Sequence, residues 1–332
     1  MDFAKEMKAK AKAAQKILVL PEGTEPRMVK AARGILDEDL AAGVILLGKE
    51  SDVKKVATDE GVPLDKITIV CPMYSPSLDK YADTYYEMRK HKGMTAEQAK
   101  TDMADPLRWA SMMVHLGDAD AMVAGAQNTT GDVLRAGLAI IGTVAGSKTA
   151  SSCFVMQIPD TSWGVNGMLI FADCAVVPDP NPEQLAEIAL SAAQSCREFL
   201  NTEPTVAMLS FSTKGSGGDH PDVKKVQEAL AMVKAKEPKL MVDGEFQADT
   251  ALVSSVREKK APGSPLQGKV NTLVFPDLGS GNIGYKLVQR LAKAEAFGPF
   301  LQGFAKPISD LSRGASVEDI IVTSAVTLAR VK

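Results

Sequence analysis

The chain has 332 residues, of which 45% are hydrophobic and 24% are charged, with a formal net charge of -3. This length is enough for one large or two ordinary domains with a core that needs no disulfide staples. The small net charge and an aromatic content of only 5% argue against a nucleic-acid or membrane partner.

The first sixteen residues are basic but include Asp2 and Glu6 and lack a long apolar run. They predict a surface helix rather than a signal or transit peptide. No run of about 18 apolar residues exists in the chain, so no membrane-spanning helix is predicted.

The chain has four widely separated cysteines, Cys71, Cys153, Cys174 and Cys196. They form no C-x-x-C pair, so neither a zinc site nor a redox dithiol is indicated. We expect them to be small buried side chains of a cytoplasmic protein.

In the first half of the chain, short apolar runs alternate with helical patterns. The runs that predict strands are KILVL (16–20), VILLG (44–48), ITIV (67–70) and ADAMVAG (119–125). Helices are predicted at 25–42, 51–60, 77–91, 95–104 and 106–116, with another beginning near Gly131. Because repeated strand–helix units form parallel sheets covered on both faces, this half predicts an α/β domain.

The middle of the chain has a different pattern. SCFVMQI (152–158), GMLIFAD (167–173) and CAVVP (174–178) are consecutive strand-like runs joined by polar turns, which predicts an antiparallel section. The strand–helix alternation then resumes, with strands predicted at 205–209, 240–244, 271–277 and 299–304 and helices at 182–200, 220–236 and 280–295. The segment 258–269, rich in proline and glycine, predicts a surface loop.

We place a domain boundary near residue 147. The PISDLSRG corner and the last helix are predicted to return to the first domain. Domain I is then 1–147 plus 304–332, and domain II is 148–303. The expected fold class is α/β, with two three-layer α/β/α domains and a cleft between them.

The last helix, VEDIIVTSAVTLARV (317–331), has apolar residues at a spacing close to 3.6. Ser316 and Asp319 predict a capping box at its start, with Asp in place of the usual Glu. The cap accounts for Ser316 and part of Asp319. It does not account for Arg313 in the Ser-Arg-Gly corner just before the helix.

Two further segments carry arginines near helix ends. In NTTGDVLRAGL (128–138), Arg135 lies in the first turns of a helix, where the helix dipole disfavours a cation. Either a bound anion or an ion pair with Asp132 relieves the conflict. In EMRKHKG (87–93), cations complement the end of a helix that Gly93 caps, and a phosphate-binding role for Arg89 is an open alternative.

Two glycine-rich segments follow strands. LGSGNIG (278–284) matches the G-x-G-x-x-G dinucleotide fingerprint, but Pro276 and Asp277 separate it from its strand, and no acidic partner for a ribose lies near position 304. We interpret it as a turn where a ligand approaches the backbone, without assuming NAD. STKGSGGDH (212–220) is a second such turn, with a flexible loop as the alternative.

Six segments together resemble successive blocks of the phosphate acetyltransferase (phosphotransacetylase) family. They are TTGDVLRAGL, FADCAVVPDPNPEQLAEIA, LSFSTKGSG, VDGEFQADTAL, VFPDLGSGNIGYK and ISDLSRGASVEDI. The similarity runs in order from LVLPEG (18–23) to the end of the chain, as in the short form without a regulatory domain. It implies a fold similar to isocitrate and isopropylmalate dehydrogenases, a homodimer, and reversible acetyl transfer between coenzyme A (CoA) and phosphate.

The resemblance also implies roles for particular residues. Asp319 matches the general base that deprotonates the CoA thiol, Arg313 matches the arginine that holds acetyl phosphate, and Ser312 matches a hydroxyl donor to that substrate. The expected substrate- and CoA-binding residues are Arg89, Arg135, Thr129, Thr130, Gly131, Gly281 and Asn282. We expect direct attack of the thiolate without an acyl-enzyme, no metal and no permanently bound cofactor, with CoA as a substrate. Some relatives carry a cysteine where this chain has Ala315, so a covalent route through that position is unavailable.

Three alternatives remain at this point. The first is the same chemistry on a longer acyl chain, as in phosphate butyryltransferase. The second is an NAD-dependent 2-hydroxyacid dehydrogenase of similar architecture, although the expected ribose partner and metal-binding carboxylates are not found in the sequence. The third is a non-catalytic binding protein that kept the fold, against which Ser312, Arg313 and Asp319 argue.

Overall fold

The computed structural model describes residues 2–331. Its strands are β1 (Ile17–Leu20), β2 (Gly43–Leu47), β3 (Ile67–Val70), β4 (Ala121–Ala124), β5 (Ser151–Gln157), β6 (Met168–Ala172), β7 (Thr205–Leu209), β8 (Met241–Phe246), β9 (Thr272–Val274), β10 (Glu295–Gln302) and β11 (Ile308–Asp310). Its helices are α1 (Phe3–Ala14), α2 (Pro26–Asp37), α3 (Glu50–Asp59), α4 (Leu78–Arg89), α5 (Ala96–Met103), α6 (Pro106–Leu116), α7 (Thr130–Ile140), α8 (Pro182–Leu200), α9 (Pro221–Lys236), α10 (Ala248–Leu252), α11 (Ser254–Lys260), α12 (Leu278–Leu291) and α13 (Val317–Ala329). The α/β class predicted from the sequence is confirmed.

The described residues form two compact units. The first contains the chain up to Val144 and from Phe304 onward, and the second is Ala145–Gly303. Each unit has its own sheet and its own apolar core. The division into domain I (1–147 plus 304–332) and domain II (148–303) stays a prediction, although these units divide within a few residues of it.

The sheet of the first unit has the strand order β11-β4-β1-β2-β3, and every neighbouring pair is parallel. From β1 the chain continues outward to β2 and β3 and then returns to β4 on the other side of β1. The strand order therefore reverses between β1 and β4. In open parallel sheets, ligands bind at such a reversal, beyond the carboxyl ends of the strands.

Helix α13 is a central element of the first unit. Its residues from Ile320 to Leu328 are all buried, and it packs against α1 and α2. Lys8 of α1 bonds Glu318 at 2.8 Å and Glu38, just after α2, at 3.1 Å. Because the Lys8–Glu318 ion pair connects its first turn to α1 and the buried contacts begin at Ile320, α13 fixes the end of the loop that precedes it.

The sheet of the second unit is mixed, with the order β10-β5-β6-β9-β7-β8. The pairs β10–β5 and β5–β6 are antiparallel, and the remaining pairs are parallel. The antiparallel section predicted from 152–158 and 167–173 is confirmed. The strand predicted at 174–178 is wrong, because the backbone N–H groups of residues 175–177 turn back to donate to the Asp173 carboxylate.

Two predicted helices end earlier than expected. The helix predicted to reach residue 42 ends at Asp37, followed by Asp39 in the left-handed region at φ 58°. The helix predicted to reach residue 91 ends at Arg89 and continues as a 3-10 turn over Lys90–Lys92. Gly93 closes that turn at φ 84°, as its predicted capping role requires.

Within residues 2–331, no helix combines the length and apolar character needed to cross a bilayer. Cys153, Cys174 and Cys196 are buried as predicted, whereas Cys71 is only half-buried. Burial raises the pKa of the Cys196 thiol to about 11, so this thiol stays protonated near neutral pH.

Candidate active site

Three loops leave the same edge of the first unit's sheet. They follow β1 (residues 21–25), β4 (residues 125–129) and β11 (residues 311–316). Since β1, β4 and β11 are adjacent and parallel, their carboxyl ends lie side by side. This edge includes the reversal of strand order, and it carries Ser312, Arg313 and Thr129 from the sequence prediction.

The side chain of Glu22, in the loop after β1, organises the loop after β4. Glu22 is only 4% exposed. Its carboxylate accepts backbone N–H bonds from Gly125 (3.1 Å), Ala126 (2.8 Å), Gln127 (3.0 Å) and Asn128 (2.8 Å), and a side-chain amide bond from Asn128 (2.8 Å). Successive backbone N–H groups of this kind often bind an anion, and here they bind the carboxylate of Glu22.

The guanidinium of Arg27, on α2, joins the loops after β4 and β11. Its Nη1 donates to the carbonyl oxygens of Arg313 and Ala315, both at 2.8 Å. Its Nη2 donates to the carbonyl of Ala126 at 3.0 Å. Nε donates to Glu25 at 2.7 Å, which lowers the pKa of that carboxyl. Arg27 therefore fixes the backbone of the Ser-Arg-Gly corner.

The corner itself presents two exposed polar side chains. The Ser312 hydroxyl accepts the N–H of Gly314 at 3.3 Å. The Arg313 side chain is exposed and makes no hydrogen bond or ion pair with the residues that the structure describes. A cation on a fixed backbone, without an internal counter-ion, suits an anionic ligand.

Asp319 lies in the first turn of α13, and the predicted capping box is present. Its Oδ2 accepts the backbone N–H and the hydroxyl of Ser316, both at 2.8 Å, and its own N–H donates to the Ser316 hydroxyl at 3.1 Å. Within residues 2–331, Oδ1 has no hydrogen-bond partner. Asp319 is exposed, so one oxygen is anchored in the cap and the other is available to a ligand.

The start of α7 holds the other predicted polar residues. Thr129 caps the helix, accepting the N–H of Asp132 at 3.2 Å and donating its hydroxyl to that carboxylate at 2.7 Å. Arg135 donates to Asp132 at 2.7 Å, so of the two sequence alternatives the structure has the ion pair. Gly131 is exposed in the first turn, and the Thr130 hydroxyl donates to Asp310 at 2.5 Å.

Arg89 lines a separate cavity of about 340 Å³ with Lys92, Gly93, Met94, Gln98 and Asp102. Its Nε is buried and lacks a hydrogen-bond partner among the described residues. A buried N–H donor without an acceptor is unfavourable, and an anionic group of a ligand would supply that acceptor.

Gly281 and Asn282 belong to the second unit, and there the predicted glycine-rich turn is wrong. LGSGNIG forms the first two turns of α12, capped by Asp277, which accepts the N–H of Ser280 at 2.8 Å. A Cβ on Gly281 would overlap the carbonyl oxygen of Asp173, and Asn282 donates to the carbonyl of Cys174 at 3.1 Å. These residues pack α12 onto the segment after β6.

The other glycine-rich segment, STKGSGG, wraps around a carboxylate of the protein. Glu245 accepts the N–H of Gly215 at 2.6 Å, the hydroxyl of Ser212 at 2.8 Å and the amide of Gln227 at 3.1 Å. Although burial acts to raise it, these donors hold the pKa of Glu245 below its usual value. These bonds give the turn a structural role, and its predicted contact with a ligand stays a prediction.

Sequence reasoning missed Glu22, Arg27 and Asp310. Glu22 lies in LVLPEG, two residues after the end of β1, and Asp310 lies two residues before Ser312 of the Ser-Arg-Gly corner. The position of an acidic residue at the end of a parallel strand was a usable signal for both. No local signal distinguishes Arg27 from an ordinary surface arginine of a helix.

Comparison with known proteins places the chain in a family. The model of the family described as "Phosphate acetyl/butaryl transferase" matches residues 2–328. A phosphate acetyltransferase from Treponema pallidum is 57% identical over 330 residues, covering 99% of this chain and 98% of the relative.

Two solved structures of phosphotransacetylases are similar to this chain in sequence and in fold. A phosphotransacetylase from Streptococcus pyogenes is 41% identical with a TM-score of 0.93, covering 99% of this chain and 98% of that one. EutD phosphotransacetylase from Staphylococcus aureus is 40% identical with a TM-score of 0.88, covering 99% of each chain. The chain belongs to the phosphate acetyl/butaryl transferase family.

Proposed function

We propose that this protein is a phosphate acetyltransferase, which reversibly transfers acetyl between acetyl-CoA and inorganic phosphate. The observation that carries the proposal is the exposed Ser312–Arg313 corner next to a capped carboxylate, Asp319, in a chain 57% identical to a phosphate acetyltransferase. The corner leaves the carboxyl edge of a parallel sheet, close to the reversal of strand order where such folds bind ligands.

The chemistry requires a base and a fixed cation. A thiol with a pKa of about 8.5 is mostly protonated at neutral pH, so a carboxylate that accepts its proton speeds formation of the thiolate. We assign this role to Asp319, whose Oδ2 is anchored by Ser316 while Oδ1 is available.

The thiolate then attacks the carbonyl carbon of acetyl phosphate. A C–S bond forms, the carbonyl oxygen becomes an oxyanion, and collapse of the intermediate breaks the C–O bond to the leaving phosphate. The Arg313 guanidinium and the Ser312 hydroxyl stabilise the charge that develops on these oxygens. The Arg27 bonds to the carbonyls of Arg313 and Ala315 hold the corner in one conformation.

The CoA-binding assignments have unequal support. The unpaired Nε of Arg89 and the neighbouring Lys92 suit the phosphates of CoA. Arg135 would have to exchange its Asp132 partner for a phosphate, and the Thr129 hydroxyl is used in the cap. Gly131, Gly281 and Asn282 stay predictions as ligand contacts.

Several further predictions made from the sequence are also part of the proposal. They are the cleft between two three-layer domains, the likeness to isocitrate and isopropylmalate dehydrogenases, the homodimer, the cytoplasmic location, and CoA as a substrate without a permanently bound cofactor. Their support is the family membership alone.

The test is to mix the protein with CoA and acetyl phosphate and to follow free thiol and inorganic phosphate together. The proposal expects one thiol lost for each phosphate released. No loss of thiol would refute it. Propionyl and butyryl phosphate, run in parallel, separate the acetyl enzyme from a butyryltransferase, and an absorbance change of NADH with 2-hydroxyacids would indicate the dehydrogenase.

A further inference from the structure

The buried carboxyl group of Asp310 has no role in the chemistry described above. Asp310 is the last residue of β11, two positions before Ser312, and it is 2% exposed. Its Oδ2 accepts the Thr130 hydroxyl at 2.5 Å, while its Oδ1 is buried without a hydrogen-bond partner in the described part of the chain. A buried polar atom left unpaired next to a functional loop calls for an explanation.

The surroundings of Asp310 favour its neutral form. Gly125, at φ 110°, lies so close that a Cβ there would overlap Asp310 Oδ1, so solvent has little access to this oxygen. Burial raises the pKa of Asp310 to about 6. The Thr130 hydroxyl and the backbone N–H of Leu311 act to lower this pKa, and repulsion from the Glu22 carboxylate acts to raise it.

The other charged groups nearby either have partners or are exposed to solvent. These charged side chains lie near β11, either in the packing around it or next to it in the chain. They are Arg27, Asp132, Arg135, Lys306, Arg313, Glu318 and Asp319. Glu22 is the charged group that acts on Asp310.

We infer that Asp310 is a positioning residue that sets the direction of the Thr130 hydroxyl. When Asp310 is ionised, Thr130 donates its proton to Oδ2 and presents only lone pairs to a ligand. When Asp310 is protonated, its O–H donates to Thr130 Oγ1, and the Thr130 proton is free to bond an anionic oxygen. Binding of a phosphate-like anion at the start of α7 is then coupled to uptake of one proton.

This inference rests on the proposed function, which brings a phosphorylated substrate to Thr130. The loop geometry supports a contact of this kind, because Thr130 begins α7, where free N–H groups and the helix dipole favour anions. Thr130 is also only partly buried, so its hydroxyl is accessible from outside.

The experiment measures the binding of inorganic sulfate, which does not itself titrate near neutral pH, by its inhibition of acetyl transfer and by calorimetry. If sulfate binds only when Asp310 is protonated, single-site linkage at a pKa of about 6 predicts that wild-type affinity falls about 25-fold between about pH 5.5 and about pH 7.5. Asp310→Asn is permanently neutral and its affinity should change less than about twofold over the same range. Wild-type binding that varies by less than about twofold would overturn the inference.

A second pair of variants tests the route through the hydroxyl without altering Asp310. Thr130→Ser keeps the hydroxyl and should keep the pH dependence, whereas Thr130→Val should lose it. An unchanged pH dependence in Thr130→Val would mean that the charge of Asp310 acts directly, and the inference would fail. Calorimetry needs no turnover, so a protein that shows the linkage but transfers no acetyl group refutes the proposed function and leaves the Asp310–Thr130 coupling intact.

Discussion

Glu22→Gln tests whether the buried carboxylate holds the loop after β4. The substitution keeps the shape but turns one acceptor oxygen into an NH2 donor. In the less harmful orientation the NH2 replaces Oε2, which leaves both this NH2 and the N–H of Ala126 unpaired and weakens the bond from Gly125. At about 1–3 kcal/mol for each unpaired buried group, and with the remaining bonds no longer charge-assisted, the free energy of unfolding should fall by about 2–6 kcal/mol.

The two tryptophans allow this loss to be measured in the first unit alone. Trp109 is buried in α6 of the first unit, and Trp163 belongs to the second. In a Trp163→Phe background, urea unfolding followed by fluorescence reports on Trp109, and a lower midpoint at an unchanged slope reads as lost stability.

The matched control for this experiment is Glu87→Gln. Glu87 is 62% exposed and pairs only with Lys90 among the described residues, so its loss should cost less than about 1 kcal/mol. If Glu22→Gln were no less stable than this control, the carboxylate would not be what holds the loop.

Three further substitutions test the corner and the CoA site. Arg27→Lys replaces the guanidinium with a single ammonium, which cannot bond the three carbonyl oxygens on the two loops. We expect kcat to fall about tenfold and the KM for CoA to change little. An unaltered kcat would mean that Arg27 does not position the corner. Arg313→Lys should lower kcat/KM for acetyl phosphate about 100-fold, measured by initial rates, and a loss below about threefold would contradict its assignment. Arg89→Gln should raise the KM for CoA about tenfold. The KM for pantetheine should stay unchanged, because pantetheine lacks the nucleotide phosphates. Equal effects on both thiols would exclude a contact between Arg89 and a phosphate of CoA.

Elements with strong local signals could be predicted from the sequence. Helix α8 was predicted at 182–200 and lies at Pro182–Leu200, because Asn181 caps it, proline begins it and its apolar spacing is regular. The capping box of Ser316 and Asp319 was found for the same reason. In each case the interactions that define the element lie within four residues of each other.

Features that depend on contacts between distant residues could not be predicted. Strand β11 has only three residues and is defined by its pairing with β4, nearly two hundred positions earlier. Glu22 and Arg27 act on loops that begin about a hundred positions or more away. The glycine spacing of LGSGNIG led to the wrong prediction of a turn. The same spacing that allows a phosphate to approach the backbone also allows a helix to pack closely on a backbone carbonyl.

The central claim, that Asp319 is the base in acetyl transfer to CoA, is tested most directly by the turnover of Asp319→Asn. Asparagine keeps a side-chain oxygen for the Ser316 bonds, so the cap of α13 survives while the basic oxygen is lost. The neighbouring variant Glu318→Gln, which removes only the ion pair with Lys8, is the control. We expect kcat to fall about 10²–10⁴-fold in Asp319→Asn, with helical content and midpoint of unfolding intact, and to stay near wild type in the control. A folded Asp319→Asn protein that turns over at the wild-type rate would contradict the account.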